Sequence, residues 1–211
     1  MWTPPSRLYA VIDAAVCRTH GLDLQEASEA CCRGGARFLQ IRAKEVASRE
    51  LLALIEAVVS IGRRSGATVI VNDRADLARL AGADGVHVGQ EDLPPDAARA
   101  VLRHGIVGIS THDEPQVAEA YRSSADYIAV GPMYATATKE TGYAPRGLDL
   151  VRSAASRGRP VVAIGGITLA RAPEVLEAGA AAVAVISDLL ATGDMEARVR
   201  EFVRAIDGRS S

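Results

Sequence analysis

Phe38-Leu-Gln-Ile-Arg-Ala-Lys44 opens the unit that decides the fold: an apolar run, then a helical pattern at Leu51, Leu52, Ile55, Val58 and Val59, then a second apolar run, Thr68-Val-Ile-Val71. Apolar residues three and four apart read as a helix, and short runs that are apolar throughout read as strands buried on both faces. Similar runs lie at Leu8 to Ile12, Gly85 to Val88, Ile106 to Ile109, Tyr127 to Val130, Val161 to Ile164 and Ala182 to Ile186, making eight candidate strands. Helical periodicity such as Val175, Leu176 and Ala178 separates them and ends in glycine or a basic residue. Strict alternation of strand and helix demands right-handed crossovers and a parallel sheet. Eight units predict a closed (β/α)8 or TIM barrel of class α/β, with an open doubly wound sheet as the alternative. With 211 residues the barrel is near the short end of its range, so residues 1–211 read as a single domain.

Composition narrows what such a barrel can bind. Hydrophobic residues make up 48% and aromatic residues 4%, so aliphatic side chains should fill the core. The 24 basic and 26 acidic side chains leave a formal charge of −2, which gives no field to gather nucleic acid or an anionic membrane. The segment Met1 to Arg7 lacks the character of a signal peptide, and no apolar run approaches the ~20 residues of a membrane span, so a cytoplasmic protein is expected. Cys17, Cys31 and Cys32 are odd in number and two are adjacent, which fits reduced thiols better than a disulfide framework. Cys31-Cys32 falls in the first helical pattern and reads as core. A homo-oligomer is compatible with the sequence but nothing in it argues for one.

In a barrel of this kind the chemistry collects at the carboxyl ends of the strands. Seven of the eight ends are polar or glycine-rich: Gln40-Ile-Arg42-Ala-Lys44, Asn72-Asp73-Arg74, His87-Val-Gly89-Gln90-Glu91-Asp92, Ser110-Thr111-His112, Gly131-Pro132 with Thr136-Ala-Thr138-Lys139, Gly165-Gly166, and Ile186-Ser187. Period-two alternation would aim Gln40, Arg42 and Lys44 to one side, and Lys139 can reach the same cavity. Several cations at one mouth call for a compensating anion, so a phosphate or diphosphate ligand is expected, against the alternative that Arg42 and Lys44 are solvated. Asp73 and Asp92 follow neighbouring strands, and two carboxylates beside a diphosphate suit Mg²⁺, which takes one or two carboxylates, water and phosphate oxygens. The ordinary alternatives are an Asp73–Arg74 ion pair and a helix cap at Asp92.

A second anion site of a different kind is expected at Gly165-Gly166 and Ile186-Ser187, where glycines let backbone N–H groups approach a phosphate. A tight turn would also favour the glycines. His87 and His112 read as hydrogen-bonded structural residues, and no arrangement of serine, cysteine and histidine suggests covalent catalysis. Two phosphate sites without a protein nucleophile fit a reaction that joins two phosphorylated small molecules and expels diphosphate from one.

The ordered set Gln40-x-Arg42-x-Lys44, Asn72-Asp73-Arg74, Val86 to Asp92, Gly108 to His112, Asp126 to Pro132, Thr136-x-Thr138-Lys139 and Ile164-Gly-Gly-Ile167 resembles the thiamine-phosphate synthase family from Leu8 to Ser187. The resemblance implies that hydroxymethylpyrimidine diphosphate and thiazole phosphate are coupled to thiamine monophosphate with release of diphosphate. It implies that Gln40, Arg42, Lys44, Asn72, Ser110 and Lys139 bind the pyrimidine diphosphate, with Arg42, Lys44, Ser110 and Lys139 acting in catalysis. Asp73 and Asp92 would hold Mg²⁺, and Thr136, Thr138, Gly166, Ile186 and Ser187 the thiazole phosphate. It further implies that diphosphate leaves first and that the thiazole nitrogen captures a pyrimidine methylene cation. A related barrel acts as a thiazole-phosphate tautomerase or a regulator and has a histidine where this chain has Pro132. Tyr134 stands where the family more often has Phe, and Glu140 to Arg146 matches no motif.

Overall fold

The computed structural model describes residues 2–135 and 143–207. Eight strands, β1 (Leu8–Asp13), β2 (Phe38–Arg42), β3 (Thr68–Asn72), β4 (Gly85–Val88), β5 (Ile106–Thr111), β6 (Tyr127–Val130), β7 (Val161–Ile164) and β8 (Ala182–Val185), pair in sequence order in a closed parallel barrel. Closure comes from β1 on β8, with Tyr9 opposite Ala184 and Ala10 opposite Val185, which sets aside the open sheet. Four strands run one or two residues further than their apolar runs, to Asp13, Arg42, Asn72 and Thr111. Pairing across the mouth, such as Asp13 with Arg42 and Asn72 with His87, holds these polar ends in the ladder.

The first connection contains two helices, α1 (Ala14–Thr19) and α2 (Leu24–Gly34), so Cys31 and Cys32 belong to the second helix of the chain, not the first. Asp13 caps α1 by accepting from the Ala15 and Val16 N–H groups, and Asp23 with Glu26 forms a capping box on α2. The remaining helices are α3 (Ser48–Ser65), α4 (Ala75–Ala81), α5 (Pro95–Leu102), α6 (Glu114–Arg122), α7 (Gly147–Ala155), α8 (Ala172–Glu177) and α9 (Met195–Asp207), with a one-turn 3-10 helix at Ser187–Leu190. Among the described residues no helix is long and apolar enough to cross a membrane.

Between strands and helices the core is aliphatic, as the composition predicts. Along α3, Leu51, Ile55, Val58, Val59 and Ile61 are buried, each worth about 1.5–3 kcal/mol relative to exposure. All three cysteines are buried in this layer. Burial pushes the thiols of Cys31 and Cys32 up, and that of Cys17 to about 11, which suits packing and not nucleophilic chemistry.

The barrel interior departs from that expectation. Its lower half holds a cluster of aromatics: Tyr9 stacks on Phe38 at 3.7 Å between centroids, and Tyr127 meets both rings edge-on at 6.0 Å. Trp2 closes the amino-terminal end, 5.3 Å from Tyr127 and 5.8 Å from Phe38. Small residues on other strands make the space. A Cβ on Gly108 would lie 2.0 Å from Tyr127 Cζ, so only glycine lets the ring lie across β5. Eight polypeptide segments enclose the ring cluster, and the polar residues of the same strands continue above it to the open mouth.

Candidate active site

At the ends of β1 and β2 the expected free cation is already paired. Arg42 Nη1 donates to Asp13 Oδ2, and the other Asp13 oxygen accepts from the α1 N–H groups at 3.0 and 3.1 Å. Asp13 is 3% exposed, so both lone-pair sets of a buried carboxylate are used. Arg42 is neither solvated nor unpaired. It is aimed by Asp13, a residue that strand-end reading passes over because an aspartate before a helix reads as a cap, which it also is.

Alternation carries Gln40 and Arg42 to the same side, but β2 ends at Arg42 and Lys44 lies in the following turn. The three side chains therefore do not form one row. Lys44 reaches across to β3, where its Nζ is 3.3 Å from Asp73 Oδ2. Arg74 instead pairs with Asp76 at 2.7 Å, which removes the Asp73–Arg74 alternative. Asp92 is no helix cap either: α5 begins after Pro94 without a side-chain cap, and Asp92 Oδ2 accepts from the Gly89 N–H at 2.7 Å. The turn at residues 89–92 thus presents Asp92 to Asp73. Burial, and then the neighbouring Asp92 carboxyl, hold Asp73 above the ordinary carboxylate range, with Lys44 as a partial offset. Asp73 also has φ +63°, a left-handed conformation uncommon outside glycine, asparagine and aspartate.

Gln40, 4% exposed, donates from Nε2 to Tyr9 Oη at 2.9 Å inside the barrel. Tyr9 Oη meets Tyr127 Oη at 2.9 Å, and His87 bridges Tyr127 Oη and Ser110 Oγ at 2.9 and 2.8 Å. Gln90 Nε2 donates to the Ser110 carbonyl at 2.6 Å, tying the Asp92 turn to the end of β5. Asn72 sits half-buried at the end of β3, opposite His87 in register. His112 Nδ1 lies 2.6 Å from the Gly131 carbonyl and its ring stacks on Tyr143 at 4.3 Å, so both histidines have the hydrogen-bonded character expected of them.

Ser110, Pro132, Gly165, Gly166, Ile186 and Ser187 share the wall of one cavity of about 480 Å³. Gly165 and Gly166 have φ +101° and +64°, and a Cβ on either would lie 2.7 Å from the backbone of Pro132 or Ala135. Their backbone is fixed by Met133 N–H to Ile164 O and Tyr134 N–H to Gly165 O, at 2.9 and 3.0 Å. Ile186 and Ser187 follow β8 and open the one-turn 3-10 helix. Thr136, Thr138, Lys139 and the first three residues of the segment Glu140 to Arg146 lie outside the described residues.

Two residues of this rim carry no strand-end motif. Asp188 brings a carboxylate into the wall of the cavity, and Arg198 from α9 donates to it at 2.7 Å while the Leu169 N–H does so at 3.0 Å. Arg171 also lines the cavity, donating to the Gly166 carbonyl at 2.8 Å with its guanidinium 4.3 Å over the Tyr134 ring. Tyr134 Oη in turn donates to Glu174 at 2.5 Å, a contact that the more usual Phe could not make. The only cue to Arg198 is a basic residue ten positions after an aspartate, which is too common a pattern to single out.

The model of the thiamine monophosphate synthase family matches residues 8–189. The thiamine-phosphate synthase of Chloroflexus aurantiacus is 41% identical over 197 residues, covering 93% of this chain and 90% of that protein. That of Mycolicibacterium smegmatis is 44% identical over 211 residues, covering 94% and 91%. The solved thiamine phosphate pyrophosphorylase of Pyrococcus furiosus superposes with a TM-score of 0.88 at 30% identity, covering 97% of each chain. With its closed eight-strand barrel and a match that spans nearly all of it, the chain belongs to the thiamine monophosphate synthase family.

Proposed function

We propose that the chain couples hydroxymethylpyrimidine diphosphate with thiazole phosphate to give thiamine monophosphate and diphosphate. The observation that carries this reading is the division of one barrel mouth: a Lys44–Asp73–Asp92 group on the β2 to β4 side, and a backbone cradle at Gly165-Gly166 and Ser187 on the β7 and β8 side. Gln40, Arg42, Lys44, Asn72, Ser110 and Lys139 bind the pyrimidine diphosphate. Thr136, Thr138, Gly166, Ile186 and Ser187 hold the thiazole phosphate.

Asp73 and Asp92 fit Mg²⁺. Two adjacent carboxyls, one of them held above its ordinary range by burial and by the other, share only the half-exposed Lys44 as a counter-charge. Among the described residues no group of three or more His, Cys, Asp or Glu side chains gathers for a metal, so water and substrate oxygens would complete the shell. When bound, Mg²⁺ would neutralise charge developing on the departing diphosphate. Lys44, Arg42 and Lys139 stabilise the same charge, and Ser110 donates a hydrogen bond at the mouth. The carbon–oxygen bond breaks with its electron pair leaving on diphosphate, and the thiazole nitrogen lone pair closes the new carbon–nitrogen bond. No protein base is required, in keeping with the structural roles of His87 and His112. Holding the two substrates in line and away from water is the main work of the barrel.

The test is a two-substrate assay. Thiamine monophosphate and diphosphate should appear together only when both substrates are supplied, and excess chelator should stop the reaction. Conversion of a thiazole precursor with no pyrimidine present would overturn the reading in favour of a tautomerase, no product from both substrates would overturn it in favour of a binding barrel, and undiminished turnover in chelator would remove Mg²⁺ from it. Lys139→Ala should reduce turnover severely in the same assay.

Arg198→Met provides a separate expectation for the thiazole side. Without Arg198, Asp188 keeps one N–H partner and brings an uncompensated carboxylate to the phosphate cradle. The KM for thiazole phosphate should rise about tenfold, from like-charge repulsion of roughly 1–2 kcal/mol in a partly buried site, while the KM for the pyrimidine substrate changes little. Equal changes in the two constants would place Asp188 elsewhere than at the thiazole phosphate.

A further inference from the structure

Five side chains form an unbroken hydrogen-bonded chain through the barrel, and the chemistry of their atoms sets its direction. It runs from Gln40 on β2 through Tyr9 on β1, Tyr127 on β6 and His87 on β4 to Ser110 on β5, with steps of 2.9, 2.9, 2.9 and 2.8 Å. The amide nitrogen of Gln40 only donates, so Tyr9 Oη receives there. Both phenols are fully buried and burial pushes both above their ordinary range, so each retains its single proton. The direction that gives every buried hydrogen of the chain an acceptor has Tyr9 donating to Tyr127 and Tyr127 donating to His87 Nδ1. A neutral imidazole that accepts at Nδ1 carries its proton on Nε2, and Nε2 donates to Ser110 Oγ. Ser110 Oγ is then an acceptor on its buried side, and its own proton turns toward the cavity whose wall it forms.

We propose that Tyr9 and Tyr127 are positioning residues that join Gln40 to Ser110 across the barrel and set the Ser110 hydroxyl as a hydrogen-bond donor to the diphosphate of the pyrimidine substrate. The inference rests on the assignment of Gln40 and Ser110 to that substrate. Packing alone does not call for the two hydroxyls. Phenylalanine would fill both places against Phe38 and Trp2 without burying a polar atom, and a buried polar chain is tolerable only when every member is satisfied. Ser110 at one end lines the cavity, and Gln40, buried at the other, is assigned to the same substrate. Tyr127→Phe leaves Nδ1 of His87 without its donor, so the imidazole can move its proton to Nδ1, accept from Ser110 at Nε2 and take the hydroxyl proton away from the cavity. Tyr9→Phe leaves the Tyr127–His87–Ser110 steps intact and frees Gln40 instead.

The experiment is a pair of double-mutant cycles read as kcat/KM for the pyrimidine diphosphate, with thermal unfolding alongside. Tyr127→Phe should lower kcat/KM about tenfold, the worth of one well-placed hydrogen bond, and should cost nothing further in a Ser110→Ala background. Tyr9→Phe should show the same dependence on Gln40→Met. A merely structural role would lower the unfolding temperature and leave kcat/KM in place, or multiply independently with Ser110→Ala, and either result overturns the inference. If Ser110→Ala and Gln40→Met are themselves as active as the wild type, the site assignment fails and this inference falls with it, a result distinct from silent tyrosine variants beside impaired Ser110 and Gln40 variants. A further measurement needs no variant. Nitrogen-15 spectra of the intact protein, taken where the imidazole is neutral, should show His87 as the Nε2–H tautomer, and the Nδ1–H tautomer would reverse the chain and overturn the proposal.

Discussion

Asp73→Asn is expected to lower turnover by roughly 10²–10³-fold while making the metal-free protein more stable at neutral pH. The first effect follows from removing half of the proposed two-carboxylate Mg²⁺ site. The second follows from the position of the side chain. Burial and Asp92 raise the Asp73 carboxyl above its ordinary value of 3.8 in the folded protein. Below that value both folded and unfolded chains carry the proton and no penalty arises. As pH rises, the unfolded chain ionises first, and folding loses stability until the folded carboxyl has ionised as well. Asparagine escapes this loss, so variant and wild type should unfold alike in acid and diverge toward neutrality, with the variant the more stable. Its amide also accepts the left-handed backbone at φ +63°, where alanine would add strain of its own. The lost ion pair with Lys44 subtracts little, because the Lys44 side chain is half exposed. Denaturation at acid and neutral pH, with a two-substrate assay, checks both halves. A variant less stable than wild type at neutral pH would show that Lys44 outweighs burial, and near-normal turnover would remove Asp73 from the site.

Asp13→Asn should cost about 3 kcal/mol of stability and depress turnover through Arg42. The substitution separates two roles of one carboxyl. Asparagine still caps α1, since an amide oxygen can accept from the Ala15 and Val16 N–H groups. It cannot neutralise Arg42, whose side chain is only 19% exposed and would be left charged in a largely desolvated place. Freed of its partner, the guanidinium loses the orientation that Asp13 sets, so, with Arg42 in its proposed diphosphate-binding role, the KM for the pyrimidine substrate should rise while that for thiazole phosphate stays close to wild type. Asp13→Ala should add about 1 kcal/mol more through the lost cap. Chemical denaturation and steady-state kinetics test this, and an Asp13→Asn protein as stable as wild type would mean that water compensates Arg42.

The barrel was legible because strands covered on both faces carry no polar interruptions, so runs such as Val161 to Val162-Ala-Ile164 declare themselves. Strand ends were less so. Asp13, Arg42, Asn72 and Thr111 break the apolar run yet stay in the ladder, since pairing depends on backbone groups and not on side-chain polarity. Among site residues, the carboxyl pair Asp73 and Asp92 was readable from strand order alone. The partnership of Asp13 with Arg42 was not, because it joins residues 29 apart and depends on the register of β1 on β2. Lys44 lies beside Asp73 but not in one row with Gln40 and Arg42, since alternation holds only as far as the strand continues. Tyr9 and Tyr127 lie inside apolar runs and read as filling, since a hydroxyl shows its partner only when strands β1, β4 and β6 stand together.

The aromatic plug at the lower end of the barrel has an optical consequence. Trp2 is the only tryptophan of the chain, and its ring rests on Phe38 from β2 and Tyr127 from β6. Its emission therefore registers an event distant in sequence, the arrival of the sixth strand beside the second, and not the local folding of the amino terminus. Refolding followed by this single indole should lag behind the helical signal in circular dichroism by the time needed to bring the two halves of the barrel together. The chain thus carries its own internal clock for ring closure.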